Sequence, residues 1–196
     1  MSLDTSRLIR NVRRAPELLR AMLATPQWFD LTAGYLRLKQ PYPLALQFRN
    51  QQRITLINRS DLATLWLVFF PPTYPVFASD LRILDLGANI GAFSLYAANR
   101  APLAQIVGVE PFPDTFGKFV AMLEENRLSH RVTAIAAAMA GIDGPVHIND
   151  APGLDSQFRN VSNEGLSVTG ISLHSLYERV GWASACLLYT SDAADE

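Results

Sequence analysis

The chain has 196 residues, 49% of them hydrophobic and 18% charged, with a net charge of -1; this is the profile of an ordinary globular protein and excludes disordered and fibrous classes. A single cysteine, Cys186, rules out an internal disulfide framework and offers no metal-ligand spacing, so no metal is expected. The longest strongly apolar stretch, Leu62 to Phe70, is far shorter than the roughly 20 residues of a bilayer-spanning helix, and the start of the chain has arginines but no apolar signal core, so the expected location is cytoplasmic.

Charge is divided unevenly, with 10 Lys/Arg against 3 Asp/Glu in residues 1 to 60 and 7 against 15 in the remainder. Arg7, Arg10, Arg13, Arg14 and Arg20 punctuate a helical pattern in which Leu8, Val12, Ala15, Leu19 and Leu23 recur at spacings of three and four. The plainer reading is a helix docked to the main domain through that stripe, with a solvated basic face. The sharper one is a basic amphipathic helix on an anionic membrane. Nucleic acid is disfavoured, because no aromatics interleave with the arginines as stacking platforms would require. Pro16 suits a helix entry, and Thr25-Pro26 ends that helix. After the joint at Pro41 to Pro43, Leu44 to Phe48 and Arg53 to Ile57 read as a hairpin. Ser60-Asp61 then caps a helix through Phe70, which Pro71-Pro72 stops. Residues 1 to 80 are thus expected to form a helical and hairpin appendage.

From Leu81 the pattern alternates: strand Leu81 to Leu86, helix Ala92 to Arg100, strand Gln105 to Val109, helix Pro113 to Asn126, strand Val132 to Ala138. Strand and helix in that rhythm predict an α/β domain with a doubly wound, mostly parallel sheet. Val146 to Ile148 and Leu166 to Ile171 pair around a turn-rich Asn149 to Gly165, and a short helix follows at Leu173 to Val180.

The turn Asp85-Leu86-Gly87-Ala88-Asn89-Ile90-Gly91 sets an acid and two glycines where a parallel sheet opens into a ligand crevice. Gly87 admits a ligand to the backbone and Gly91 allows close helix packing. Glu110, closing the second strand, is expected to face the crevice and accept both ribose hydroxyls of an adenosine, so that its removal costs the fold little. A dinucleotide fingerprint would place glycines where Asn89 and Ala92 stand, and Asp85 would repel a pyrophosphate. S-adenosylmethionine carries a sulfonium and an ammonium group instead, which an acid at this turn favours. Two other readings stay open: a nicotinamide-dependent Rossmann oxidoreductase, and a non-catalytic module docking through the basic N-terminal helix.

The order I-L-D-L-G-A-N-I-G-A-F-S-L-Y-A-A from Ile83 to Ala98, V-E-P-F-P-D from Val109 to Asp114 and R-V-T-A-I-A-A-A-M-A-G from Arg131 to Gly141 resembles the FkbM-type family of S-adenosylmethionine-dependent methyltransferases. The likeness runs roughly from Leu44 to Tyr177. It implies a Rossmann-like class I methyltransferase fold and O-methylation of a hydroxyl on a saccharide, polyketide or related metabolite. Carried over by position, Asp85, Gly87, Asn89 and Gly91 would line the methionine end, Glu110 would hold the ribose, and Pro111-Phe112 would flank the adenine. Phe112 reads equally well as a core aromatic. No catalytic base is identified, and His130, His147 and His174 share no site-like spacing. After Val180 the family's next strand is missing; residues 182 to 196 read as a non-native tail, leaving a partial domain at 81 to 181 with only three of about seven parallel strands. A chain so shortened is expected to be inactive and poorly soluble.

Overall fold

The computed structural model describes residues 15–149, 161–162, 165–183 and 186–189. They fall in two compact units, Met1–Thr73 and Tyr74–Glu196.

In the first unit, α1 (Ala15–Ala24) and α2 (Trp28–Tyr35) precede a hairpin of β1 (Leu44–Gln47) and β2 (Arg53–Leu56), and α3 (Arg59–Phe69) closes it. The hairpin pairs Leu44 with Leu56 through Gln47 with Arg53. Its core holds Leu31, Leu62, Leu65 and Trp66, and Tyr35 stacks on Trp66 at 3.9 Å. Sequence reasoning misses α2, whose Thr32 and Gly34 are weak helix formers; Gly34 is there because a Cβ would come within 2.8 Å of Leu62 Cδ1. The cap of α3 is Asn58 rather than Ser60-Asp61: the Asn58 side chain accepts from Asp61 N–H at 2.9 Å, while the Asp61 carboxylate accepts from Ile57 N–H at 2.8 Å.

The leucine stripe of α1 is not its docking face. Ala21 is the buried residue of this helix, and Leu19 and Leu23 point outward. Polar anchors decide the rotation. The Glu17 carboxylate accepts from the buried Trp66 indole N–H at 2.9 Å, and Thr25, one helical turn past Ala21, donates to the Gln47 carbonyl at 2.9 Å. Glu17, Ala21 and Thr25 follow one another at i, i+4, i+8, so satisfying the indole turns the leucines away.

The second unit begins with β3 (Arg82–Leu86), α4 (Ala92–Arg100), β4 (Gln105–Val109), α5 (Pro113–Glu125) and β5 (Val132–Ile135). It continues with β6 (Ala138–Met139), β7 (Gly144–Ile148), β8 (Val161–Ser162), β9 (Leu166–Ile171), α6 (Leu173–Val180) and β10 (Cys186–Tyr189). One sheet has the order β10-β3-β4-β5, all parallel. Residue alternation splits its faces. Leu84, Leu86, Val107, Val109 and Ile135 pack with Leu176 of α6. On the opposite face Asp85 meets Ser94 of α4, and Gly108 lies against Phe119 of α5. Helices therefore cover both faces, the doubly wound arrangement of a Rossmann-like α/β fold.

Two departures from the sequence pattern concern strands. The third strand ends at Ile135, where Ala137 N–H turns back to the Ile135 carbonyl and Ala138–Met139 pairs instead with Gly170 and Ile171 in a second sheet, β6-β9-β7-β8. That sheet contains the anticipated pairing of Ile148 with Leu166 through Gly144 with Gly170. Within the segment read as a tail, Cys186–Tyr189 lies parallel to β3, pairing Cys186 with Ile83 and Tyr189 with Leu86, so four parallel strands are present among the described residues.

Candidate cofactor-binding site

The loop between β3 and α4 uses three left-handed residues, Gly87 (φ 82°), Asn89 (φ 51°) and Gly91 (φ 81°). Asparagine is among the few side chains that accept this conformation readily. Four amides of the loop are spent internally: Gly87 and Ala88 N–H both donate to the Val109 carbonyl at 2.9 Å, and Gly91 N–H donates to the Ala88 carbonyl at 2.7 Å. Asn89 N–H donates to Glu110 Oε2 at 2.8 Å.

Gly91 caps α4 and is required by its surroundings. A Cβ there would lie 2.3 Å from Met122 Cε and 2.4 Å from Phe119 Cδ2. The same fully buried Phe119 ring fills the space over Gly108, whose Cβ would stand 2.4 Å from Phe119 Cζ. One aromatic of α5 therefore supports both the turn and the second strand. Gly108 and Phe119 escape the motif reading, although a glycine inside a strand signals close approach of another element.

The two acids lie near the C-terminal ends of adjacent strands, Asp85 opposite Gly108 and Glu110 just past Val109, in different bonds. Asp85 is fully buried and accepts from Ser94 Oγ, in the first turn of α4, at 2.7 Å. Glu110 is only 4% exposed; beyond its bond to Asn89, its Oε1 accepts from Phe112 N–H at 3.0 Å, and its own N–H donates to the Ile135 carbonyl at 3.0 Å. It is therefore a buried brace between the glycine turn and the start of α5, not a solvated strand end. The expectation that its removal leaves the fold untouched is corrected accordingly, because two backbone donors depend on it.

Phe112 lies against Ala138, Val146 and Ile148 in a cluster that also takes in Leu166 and Val168, so most of its ring is core. Pro111 is half-buried beside it. The histidines are not brought to this site by any described bond: His174 pairs with Glu178 on the exposed side of α6 at 3.3 Å. Among the described residues no group of three His, Cys, Asp or Glu could hold a metal ion, and no helix is long and apolar enough to cross a membrane. A second polar hub, unremarked in the sequence, is exposed: Asp143 Oδ1 accepts from Ser172 N–H at 2.7 Å and Oδ2 from Ser175 Oγ at 2.5 Å. Those bonds, the backbone one first, hold the Asp143 carboxyl below its ordinary value.

No family model matches the chain. Over 77 residues it is 35% identical to Methyltransferase 1 of Beauveria bassiana, a match covering 38% of this chain and 29% of that protein. Over 36 residues it is 58% identical to the AMB antimetabolite synthetase AmbE of Pseudomonas aeruginosa, covering 18% of this chain and 2% of that protein. The matches thus span less than a third of either relative's length. Among solved structures it is similar to P. horikoshii TYW2 in complex with MeSAdo, at 20% identity and a TM-score of 0.35, covering 57% of this chain and 47% of that one.

Proposed function

We propose that the turn from Asp85 to Gly91, together with Glu110, binds S-adenosylmethionine, and that the chain supplies the cofactor-binding part of a methyltransferase. The observation that carries this reading is the accounting of the turn's amides. A dinucleotide-binding turn offers free N–H groups to a pyrophosphate. Here the amides of Gly87, Ala88, Asn89 and Gly91 are all bonded within the protein, one of them to a carboxylate. A phosphate brought within about 5 Å of Glu110 or Asp85 would meet a repulsion of about 3 kcal/mol per charge at an effective dielectric of about 20. A phosphate-free cofactor bearing positive charge is favoured beside these two carboxylates, and the similarity to Methyltransferase 1 supports the choice.

In this reading S-adenosylmethionine supplies an activated methyl group. Glu110, already oriented by the Asn89 and Phe112 amides, holds the ribose. Gly87, Asn89 and Gly91 shape the methionine end, the field of Asp85 favours the cationic centre, and Pro111 with the edge of Phe112 flanks the adenine. The acceptor, following the resemblance to FkbM-type enzymes, is an alcohol on a saccharide, polyketide or related metabolite, and the base that takes its proton is not among the residues gathered here. Because the matches span less than a third of either relative's length, what is proposed for these residues is cofactor binding.

The test is calorimetry on the chain with S-adenosylhomocysteine and, separately, NADH. Affinity for S-adenosylhomocysteine at least about tenfold above that for NADH, a difference of about 1.4 kcal/mol, is expected. The reverse order would replace this reading with the nicotinamide-dependent oxidoreductase.

A further inference from the structure

We infer that the outward face of α1 and α2 docks on an anionic phospholipid surface. The rotation that lets Glu17 reach Trp66 leaves Leu19 (51% exposed), Met22 and Leu23 (62%) in water, at the i, i+3, i+4 positions of one helix face. Across the short turn at Pro26, Trp28 and Phe29 (62%) are exposed as well, their rings edge to face at 5.9 Å. Five large apolar side chains in water within eleven residues exceed the scattered single hydrophobes of an ordinary surface.

The charges around this face select its partner. Residues 15 to 60 hold 6 Lys/Arg and 2 Asp/Glu, with Arg20 of α1 donating to the Phe70 carbonyl. Of the acids, Glu17 is turned inward onto the Trp66 indole and Asp30 is paired with Lys39, whose ammonium also lies 5.7 Å from the Phe29 ring centroid. What faces outward is therefore aliphatic and aromatic surface within a net positive segment. That is the composition of an interfacial helix, with apolar side chains entering the acyl boundary and cations meeting anionic headgroups. A second copy would bring like charge to like charge, and a nucleic acid would leave Leu19, Met22 and Leu23 without apolar contact.

Co-sedimentation of the full chain with vesicles of phosphatidylcholine containing phosphatidylglycerol, against phosphatidylcholine alone, tests the inference. Binding at least about tenfold stronger to the anionic vesicles is expected, falling severalfold when salt is raised from about 0.1 M to about 0.5 M. The variant Leu19→Gln/Leu23→Gln/Phe29→Gln, with helical circular dichroism unchanged, should bind at least about tenfold more weakly. Independently of any folding effect of that variant, anionic vesicles should blue-shift the chain's tryptophan emission, and Trp28→Phe should abolish the shift. No binding, equal binding to neutral vesicles, undiminished binding by the glutamine variant, or a shift that survives Trp28→Phe would overturn the inference. So would a dimer that the glutamine variant dissociates, which would make the face a contact between copies.

Discussion

Glu110 gathers hydrogen bonds from a turn and a helix start, and Asp143 gathers its own from the start of α6. Glu110 ties the Asn89 amide to the Phe112 amide at 2.8 and 3.0 Å; Asp143 ties the Ser172 amide and the Ser175 hydroxyl at 2.7 and 2.5 Å. The bond lengths are alike and the surroundings are not. Water can replace the partners of Asp143, whereas the donors served by Glu110 sit beside a carboxylate only 4% exposed. A charge-assisted bond is worth what its loss leaves unpaired, and that depends on burial more than on distance. One brace is therefore integral to the glycine turn, and the other is a cap at the surface.

Disturbing the turn from beneath should give the largest effect. Gly91→Ala combines a positive φ with a Cβ inside the contact radius of Met122 and Phe119; a loss of about 3–4 kcal/mol is expected, measured as a lower urea midpoint at unchanged slope. Glu110→Ala comes next. It strands the Asn89 and Phe112 amides and should cost about 2–4 kcal/mol without any cofactor present. On the proposed function it also weakens S-adenosylhomocysteine by about 10- to 100-fold, with Glu110→Gln falling between. A Glu110→Ala protein as stable as wild type would erase the contrast between the two carboxylates.

Asp143→Asn should be the mildest of the three, and its signature is pH dependence. Because the folded-state pKa of Asp143 is depressed, its contribution is fully present above the unfolded value of about 3.9 and is lost as pH falls through the lower folded value. The variant should thus match wild type less well near neutrality than at strong acid, where the two acid-unfolding curves converge. Curves separated by the same amount at every pH would show that Asp143 contributes by packing alone.

How legible these features are in the sequence follows from the range of the interactions that make them. The turn from Asp85 to Gly91, α4 at Ala92–Arg100 and β4 at Gln105–Val109 are readable because their signals are local: short apolar runs, glycines at φ-demanding positions and helix-length spacing. The rotation of α1 is not, since it is set by a bond between Glu17 and Trp66, 49 residues apart, that overrides the hydrophobic stripe. The burial of Glu110 is hidden for a similar reason: its partners Asn89 and Phe112 contribute backbone amides, which leave no mark in residue type. Phe119 under two glycines becomes visible only when α5 is laid across the sheet.

The strand order also sets a schedule. Partners in β3 and β4, such as Arg82 and Gln105, are separated by 23 residues, whereas Ile83 and Cys186 are separated by 103. On loop-closure entropy the second pairing costs about 1.3 kcal/mol more, a modest penalty at equilibrium. Its larger effect is temporal. A ribosome adding about 5–20 residues per second releases β3, β4 and β5 well before Cys186, so the strand bearing Asp85 spends seconds as an uncovered apolar edge. During synthesis, that edge is where a chaperone or a neighbouring nascent chain would first take hold.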